Sequence, residues 1–296
     1  MKYLNHFLVL TAALSYSSLS IIYVLLNQQK IDAFNLVFYR FFFTIAITLI
    51  IAFFFFRKTL KLKRKEFYYL LVNAALLTLG IISYALSVYM GTPIAKAIIL
   101  TYSYPLTIVL VSYILLREFP RPKQLLAITL SFISVLILFE FWKIKSLWEI
   151  RTGDLLAILN SLVYGSDIVW VTKMRRDTNI NPITAVIYNF IIGTFLLFFV
   201  AFLLTFFGLR VFIPAVKTNF SILVWILLVV LGLTGTVIPQ LSVYFASKKL
   251  KPHVTSVLLL TEPVWVIIFG WLIFGQSLSI WGIIGAIGII FSVLLV

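Results

Sequence analysis

The chain contains no cysteine. That excludes a disulfide framework and a thiolate metal site together. Histidine is almost as scarce: only His6 and His253 occur, both at or near the ends of apolar runs. With so few candidate ligands, no metal cluster and no nucleophile–base set can be assembled. A glycine-rich motif for cradling phosphate is also missing, so ATP is not the driver within this chain. Neither a cofactor nor enzymatic activity is expected. Charge is sparse and one-sided: 11% of residues are charged, 9 acidic against 24 basic, for a net charge of +15.

What the chain has instead is hydrophobicity. Of its 296 residues 62% are hydrophobic, and the mean hydropathy is +1.13. A membrane-spanning helix needs about 20 mostly apolar residues. Ten such runs follow one another, near 5–26, 33–56, 67–89, 95–116, 123–141, 153–173, 182–208, 219–245, 253–274 and 279–296. The expectation is an all-α integral membrane protein with ten transmembrane helices. The first run is too long for a cleaved signal, and Asn27–Asp32 offers no small-residue cleavage site.

In a soluble protein so basic a chain would suggest nucleic acid. Here the lysines and arginines fall between the spans, where they set orientation. With a cytoplasmic N-terminus, sixteen fall in inner segments, among them six in 57–65 and three each in 117–123, 173–176 and 248–251. Seven fall outside, and Arg40 is the last of the 24. That bias predicts both termini in the cytoplasm and a multi-pass protein of the plasma or inner membrane, with the lipid bilayer as partner and no nucleic acid. Trp142, Trp148, Trp225, Trp271 and Trp281 lie near outer ends and Trp170 near an inner one, as an interfacial belt requires. Trp265 alone lies deep within a span.

One stretch occurs twice. Thr101-Tyr-Ser-Tyr-Pro105, an apolar helix, Arg117-Glu118 and a second apolar helix return as Leu259-Leu-Thr-Glu-Pro263, a helix, Gly275-Gln276 and a last helix. A shift of 158 superposes them without a gap. Shifts of 148 and 149 place Tyr16 on Tyr164 and Tyr39-Arg40-Phe41 on Tyr188-Asn189-Phe190. The chain therefore divides into five-helix repeats, 1–146 and 147–296. Five is odd, so the repeats cross the membrane in opposite senses. Such inverted repeats are typical of secondary transporters, whose site lies near the midplane between them.

Several residues are candidates for that site. A charge within a span is costly and marks a pathway or a pair. Arg40 is the clearest case, although a structural pair or a snorkelling side chain would also explain it. Its depth differs from that of Glu262 by roughly 7 Å at 1.5 Å per residue, so Glu262 is its best partner if the two helices are neighbours. Asp167 lies nearer the cytoplasm. Pro105 and Pro263 remove helical hydrogen bonds and stand as paired hinges or as inherited packing geometry. Tyr16, Tyr84, Tyr102, Tyr104, Tyr164 and Trp265 line a cavity for planar or cationic substrates, or simply pack. Asn160 and Asn189 bond between helices or contact substrate. Glu118 reads as an interfacial partner of its neighbour Arg117. Gly282, Gly285 and Gly288 form a face for tight packing.

On Tyr39-Arg40-Phe41, Pro105 to Glu118 with Ala127 and Ser134, Gly153-Asp154, and Glu262-Pro263 to Gly275-Gln276 with Gly285, the chain resembles the drug/metabolite transporter superfamily, as a protein with two EamA-type repeats. It departs where such proteins often carry tryptophan (Tyr16 and Tyr164 here) and an acidic residue after the ninth helix (Gln276). The resemblance implies transport of a small-molecule substrate, often export of amino acids, other metabolites or drugs, by alternating access. The alternative is a proton-coupled exporter of organic cations or drugs, with Glu262 exchanging protons. A channel would differ in showing a flux that does not saturate.

Overall fold

The structure, a computed structural model, describes residues 3–55, 61–144, 149–208 and 213–296. Trp148, Arg210 and part of the basic stretch 57–65 lie outside the described residues. Among those described there are thirteen α-helices and no strand. They are α1 (Leu4–Gln28), α2 (Ala33–Phe55), α3 (Arg64–Tyr89), α4 (Ile94–Thr101), α5 (Tyr104–Leu116), α6 (Pro122–Leu138), α7 (Thr152–Asp177), α8 (Pro182–Phe206), α9 (Ile222–Gly232), α10 (Ile238–Ala246), α11 (Pro252–Leu259), α12 (Glu262–Phe274) and α13 (Ile280–Val293). Local signals start them. Asn181 caps α8, accepting from the Ile183 amide, with Pro182 following it. Ser221 and Ser279 cap α9 and α13 in the same way. Glu66 and Asp154 reach back to the backbone N–H groups of Lys63 and Arg151.

Eight helical segments are long and apolar enough to cross a membrane, with α4–α5, α9–α10 and α11–α12 each serving as one. The other two runs, α6 and α13, are apolar but have 17 and 14 residues. At 1.5 Å per residue they reach about 25 and 21 Å, short of a hydrocarbon core of about 30 Å. Eight full spans, rather than ten, is what length and composition support.

The packing is that of a duplicated unit. α1 packs on α10 and on α11–α12, while α7 packs on α3 and on α4–α5. α2 contacts α8 and α9, α8 contacts α2 and α3, and α6 lies along α13. Exchanging the repeats maps each of these contacts onto another in the set. The sense is inverted. The start of α1 and the end of α10 share one apolar cluster, through Val9 and Ala246. Arg175, near the end of α7, donates to the Tyr244 carbonyl at 3.0 Å. The beginning of the first repeat's opening helix and the end of the second's thus lie on the same face. That face is basic.

α6 and α13 press together because Gly285 has no side chain. A Cβ there would lie 2.6 Å from the backbone of Leu138. On the face opposite the basic one, Trp142 and Trp281 meet edge to face at 5.1 Å. Two sequence expectations change here. Lys96, assigned to an outer loop, is buried and ion-paired to Asp154 at 2.6 Å, which also accepts from Thr92 at 3.1 Å. Glu118 pairs with Arg176 at 2.9 Å and not with its neighbour Arg117, whose left-handed backbone (φ 53°) ends α5.

Candidate functional site at two broken helices

The sequence suggests continuous helices kinked at Pro105 and Pro263. The structure breaks both. Tyr102-Ser103 separates α4 from α5, and Leu260-Thr261 separates α11 from α12. Each break stands just before a proline, whose missing N–H and bulky ring oppose a bond to the preceding turn. The two breaks coincide under the shift of 158. So do the ends of α5 and α12, closed by left-handed residues Arg117 (φ 53°) and Gly275 (φ 64°). The two half-helices that follow the breaks begin with Tyr104 and Glu262 at equivalent positions.

Glu262 is enclosed by helices, yet its side chain keeps accessible surface, so it borders an internal space. The Tyr102 hydroxyl stands within hydrogen-bonding reach of it, and no ion pair holds the carboxylate. Tyr16, Tyr84, Tyr102, Tyr104 and Tyr164 all lie within electrostatic range of it. Tyr104 meets Tyr164 edge to face at 4.9 Å, and the tilted ring of Tyr102 at 6.3 Å. Gly165 permits this approach, since a Cβ there would lie 2.8 Å from the Tyr104 carbonyl. Trp265, three residues along α12 and so on the same side as Glu262, is half-buried, and its indole N–H meets no protein acceptor. Five tyrosines therefore lie about one carboxylate, with Trp265 one turn along the same helix.

Arg40 is 8% exposed and does not pair with Glu262. Its Nε donates to Thr236 Oγ1 at 2.7 Å, one terminal nitrogen to the Tyr23 hydroxyl at 3.0 Å, and the other to the Gly235 carbonyl at 2.9 Å. This corrects the expected direct pair, and the backbone explains it. Residues Leu233–Val237 form a π-helical turn between α9 and α10. Such a turn frees carbonyls from the regular ladder, and here Arg40 takes Gly235 O while Ser15 takes Thr234 O at 2.5 Å. All three of Arg40's partners are neutral, so its charge is uncompensated by contact. It is still felt at the Tyr16 hydroxyl together with that of Glu262. The enclosure holds one guanidinium and one carboxylate, close but not ion-paired.

The asparagines differ from one another. Asn160 donates to the Gly80 carbonyl at 2.6 Å, tying α7 to α3. Asn189 belongs to a second polar cluster, below the chamber toward the basic face. There Asn189 Nδ2 donates to the Tyr244 hydroxyl at 3.4 Å, Tyr244 to Asn73 Oδ1, and Asn73 to Asp167. Sequence reasoning left Tyr23, Thr236 and Tyr244 out of the site. Thr234-Gly235-Thr236 with Pro239 close by was the available hint, because small hydroxyl residues and glycine accommodate a helix irregularity. No group of three or more metal-ligating side chains occurs among the described residues.

The EamA-like transporter family model matches the chain twice, over residues 4–140 and 151–296. No curated protein matches. A solved structure titled only "Crystal structure of protein" has a TM-score of 0.79 to this chain, covering 98% of it and 95% of the other at 18% identity. At that identity the likeness shows a shared fold. With both halves matched, the chain belongs to the EamA-like transporter family, a multi-pass membrane transporter of small molecules.

Proposed function

We propose that the protein is a secondary transporter exporting amino acids or closely related zwitterions by alternating access of its two repeats. The observation that carries this reading is the pair of opposite charges in one enclosure, Arg40 and Glu262, neither of them ion-paired. A buried charge without a counter-charge is expensive in a membrane. A zwitterion relieves both at once, its carboxylate toward the Arg40 guanidinium and its ammonium toward Glu262. Tyr16, Tyr84, Tyr102, Tyr104, Tyr164 and Trp265 supply flat surfaces that suit aromatic side chains. The reading takes α6 and α13 as the remaining two of ten spans, the repeats as 1–146 and 147–296, Pro105 and Pro263 as hinges, and both termini as cytoplasmic in the plasma or inner membrane.

The second reading, export of organic cations against protons, is favoured by Glu262 alone, an enclosed carboxylate ringed by tyrosines. The two readings differ over Arg40. Purified protein in proteoliposomes, screened with labelled amino acids and organic cations, should show saturable exchange of aromatic amino acids. Their methyl esters, which lack the carboxylate, should compete poorly. Alanine at Tyr16 or Tyr164 should weaken exchange without loss of expression. Equal competition by the esters, or uptake of organic cations only, would replace the first reading with the second.

A further inference from the structure

The chamber accounts for Glu262 and Arg40 but not for Asp167. This carboxyl is 4% exposed, in the middle of α7. One oxygen accepts from Asn73. The other accepts nothing from the protein, and it is not among the sealed, partnerless atoms of the interior. It therefore touches accessible space. We propose that Asp167 carries the coupling proton, taken up from one side of the membrane and released to the other in each transport cycle. This rests on the transporter reading above and adds its driving ion.

The surroundings suit a group that must gain and lose a proton. From α3 it faces Asn73, and from α10 Tyr244, which acts through Asn73. α8 adds Asn189 behind Tyr244. Tyr16 of α1, and Tyr164 one turn earlier on its own helix, lie within its electrostatic range. α4–α5 bring Tyr104 against Tyr164 and no charge. Among the described residues, the charged groups near this part of the bundle point elsewhere. Arg175, two turns along α7, donates to the carbonyls of Tyr244 and Ile180. His253 of α11 lies at the basic face, within range of Glu118 and Arg176.

Asp167 is thus unpaired by any cation, which distinguishes it from Asp154, fixed as a carboxylate by Lys96. Every donor in the row Asn189, Tyr244, Asn73 points toward it. The row supports the carboxylate, burial in an apolar bundle supports the acid, and the balance shifts with the water that each open state admits. In the step itself, the O–H bond on the free Asp167 oxygen breaks and the proton passes to water on the cytoplasmic side. The carboxylate left behind is held by Asn73. A proton from the outer side later restores the acid after reorientation. Tyr16, which senses Asp167 and Glu262 together, links this carboxyl to the occupancy of the chamber.

Two measurements test this. In the first, proteoliposomes with the potential clamped receive labelled phenylalanine under a gradient of about one pH unit, acid inside. For one proton per substrate that gradient sustains up to about a tenfold accumulation, because a pH unit is a tenfold ratio of proton activity. The wild-type protein should accumulate label, and Asp167→Asn should exchange phenylalanine at equal pH but not accumulate it. Accumulation by Asp167→Asn overturns the proposal. Exchange without accumulation by the wild type overturns it too, while leaving the amino-acid reading intact. Accumulation driven by sodium at equal pH would assign coupling to a different ion and also overturn it.

The second measurement needs no substrate. Infrared difference spectra of purified protein between acidic and neutral pH should show a protonated-carboxyl band that shifts with isotopically labelled aspartate and is absent in Asp167→Asn. A band that fails to move with labelled aspartate refutes the proposal even if Asp167→Asn does not fold. Failure of phenylalanine exchange together with a shifting band would overturn only the amino-acid reading.

Discussion

Arg40 and Glu262 lend themselves to a double-mutant cycle whose outcome the geometry fixes in advance. Arg40→Ala removes three hydrogen bonds and orphans Thr236 Oγ1, the Gly235 carbonyl and the Tyr23 hydroxyl. Net hydrogen bonds from a charged donor are worth about 1.5–3 kcal/mol each. Against that stands the desolvation of a buried guanidinium, several kcal/mol that the mutant no longer bears. A net loss of about 2–4 kcal/mol is expected, concentrated at the π-helical turn. Glu262→Gln keeps the side chain's shape and an acceptor oxygen for Tyr102, and should change stability by less than about 1 kcal/mol. With no direct contact between the two but a charge–charge interaction across the enclosure, their stability effects should depart from additivity by less than about 1 kcal/mol. In transport both single variants should lose amino-acid exchange, so the double variant should be no worse than either. The assay is reversible unfolding in mixed detergent alongside proteoliposome exchange. Wild-type stability of Arg40→Ala would refute the latch at the π turn, and a coupling energy well above 1 kcal/mol would restore the direct pair.

Three further outcomes are expected. The chain has no native cysteine, so single cysteines report topology cleanly: Lys61→Cys should label from the cytoplasm and Thr218→Cys from outside, and the reverse pattern would invert the orientation. Gly285→Val should separate α6 from α13, because even its Cβ meets the Leu138 backbone at 2.6 Å; a loss of about 1–3 kcal/mol is expected, and an unchanged melting temperature would contradict the packing. Asp154→Ala should cost about 3–5 kcal/mol by removing the carboxylate that is ion-paired with the buried Lys96 ammonium. In the double variant Lys96→Met, Asp154→Ala much of that loss should return, and equal stability of single and double variants would contradict it.

The fold was largely legible because its cues are one-dimensional. Apolar runs of sufficient length, the odd number of segments per repeat and the shift of 158 all survive projection onto sequence. The sequence singled out the same tyrosines as cavity-lining or packing residues, but their placement about Glu262 depends on the helix breaks at 102–103 and 260–261, which hydropathy leaves unmarked. What failed depended on backbone irregularity. The expected Arg40–Glu262 pair was drawn from depth alone, and depth does not reveal that a π turn in the eighth segment offers a nearer carbonyl. The lengths of α6 and α13 depended on where Phe139 and Leu294 leave the helix, which hydropathy does not mark. Lys96 looked like a loop charge because its partner, Asp154, lies 58 positions away.

The equivalence of Tyr104 and Glu262 has a consequence for why the two repeats share one chain. A homodimer of a single repeat would place the same residue at both half-helix starts. Two glutamates would repel across the cavity unless one stayed protonated, and two tyrosines would leave the cavity without an anion. Covalent fusion lets the symmetric shell keep its moving parts while the contents become lopsided, with a single negative charge on one side of the pseudo-axis and a phenol on the other. Such a protein has shapes related by a pseudo-two-fold axis but energies that are not so related. On the alternating-access reading proposed above, its inward-open and outward-open forms are then unequally populated at rest, which gives the cycle a preferred waiting state.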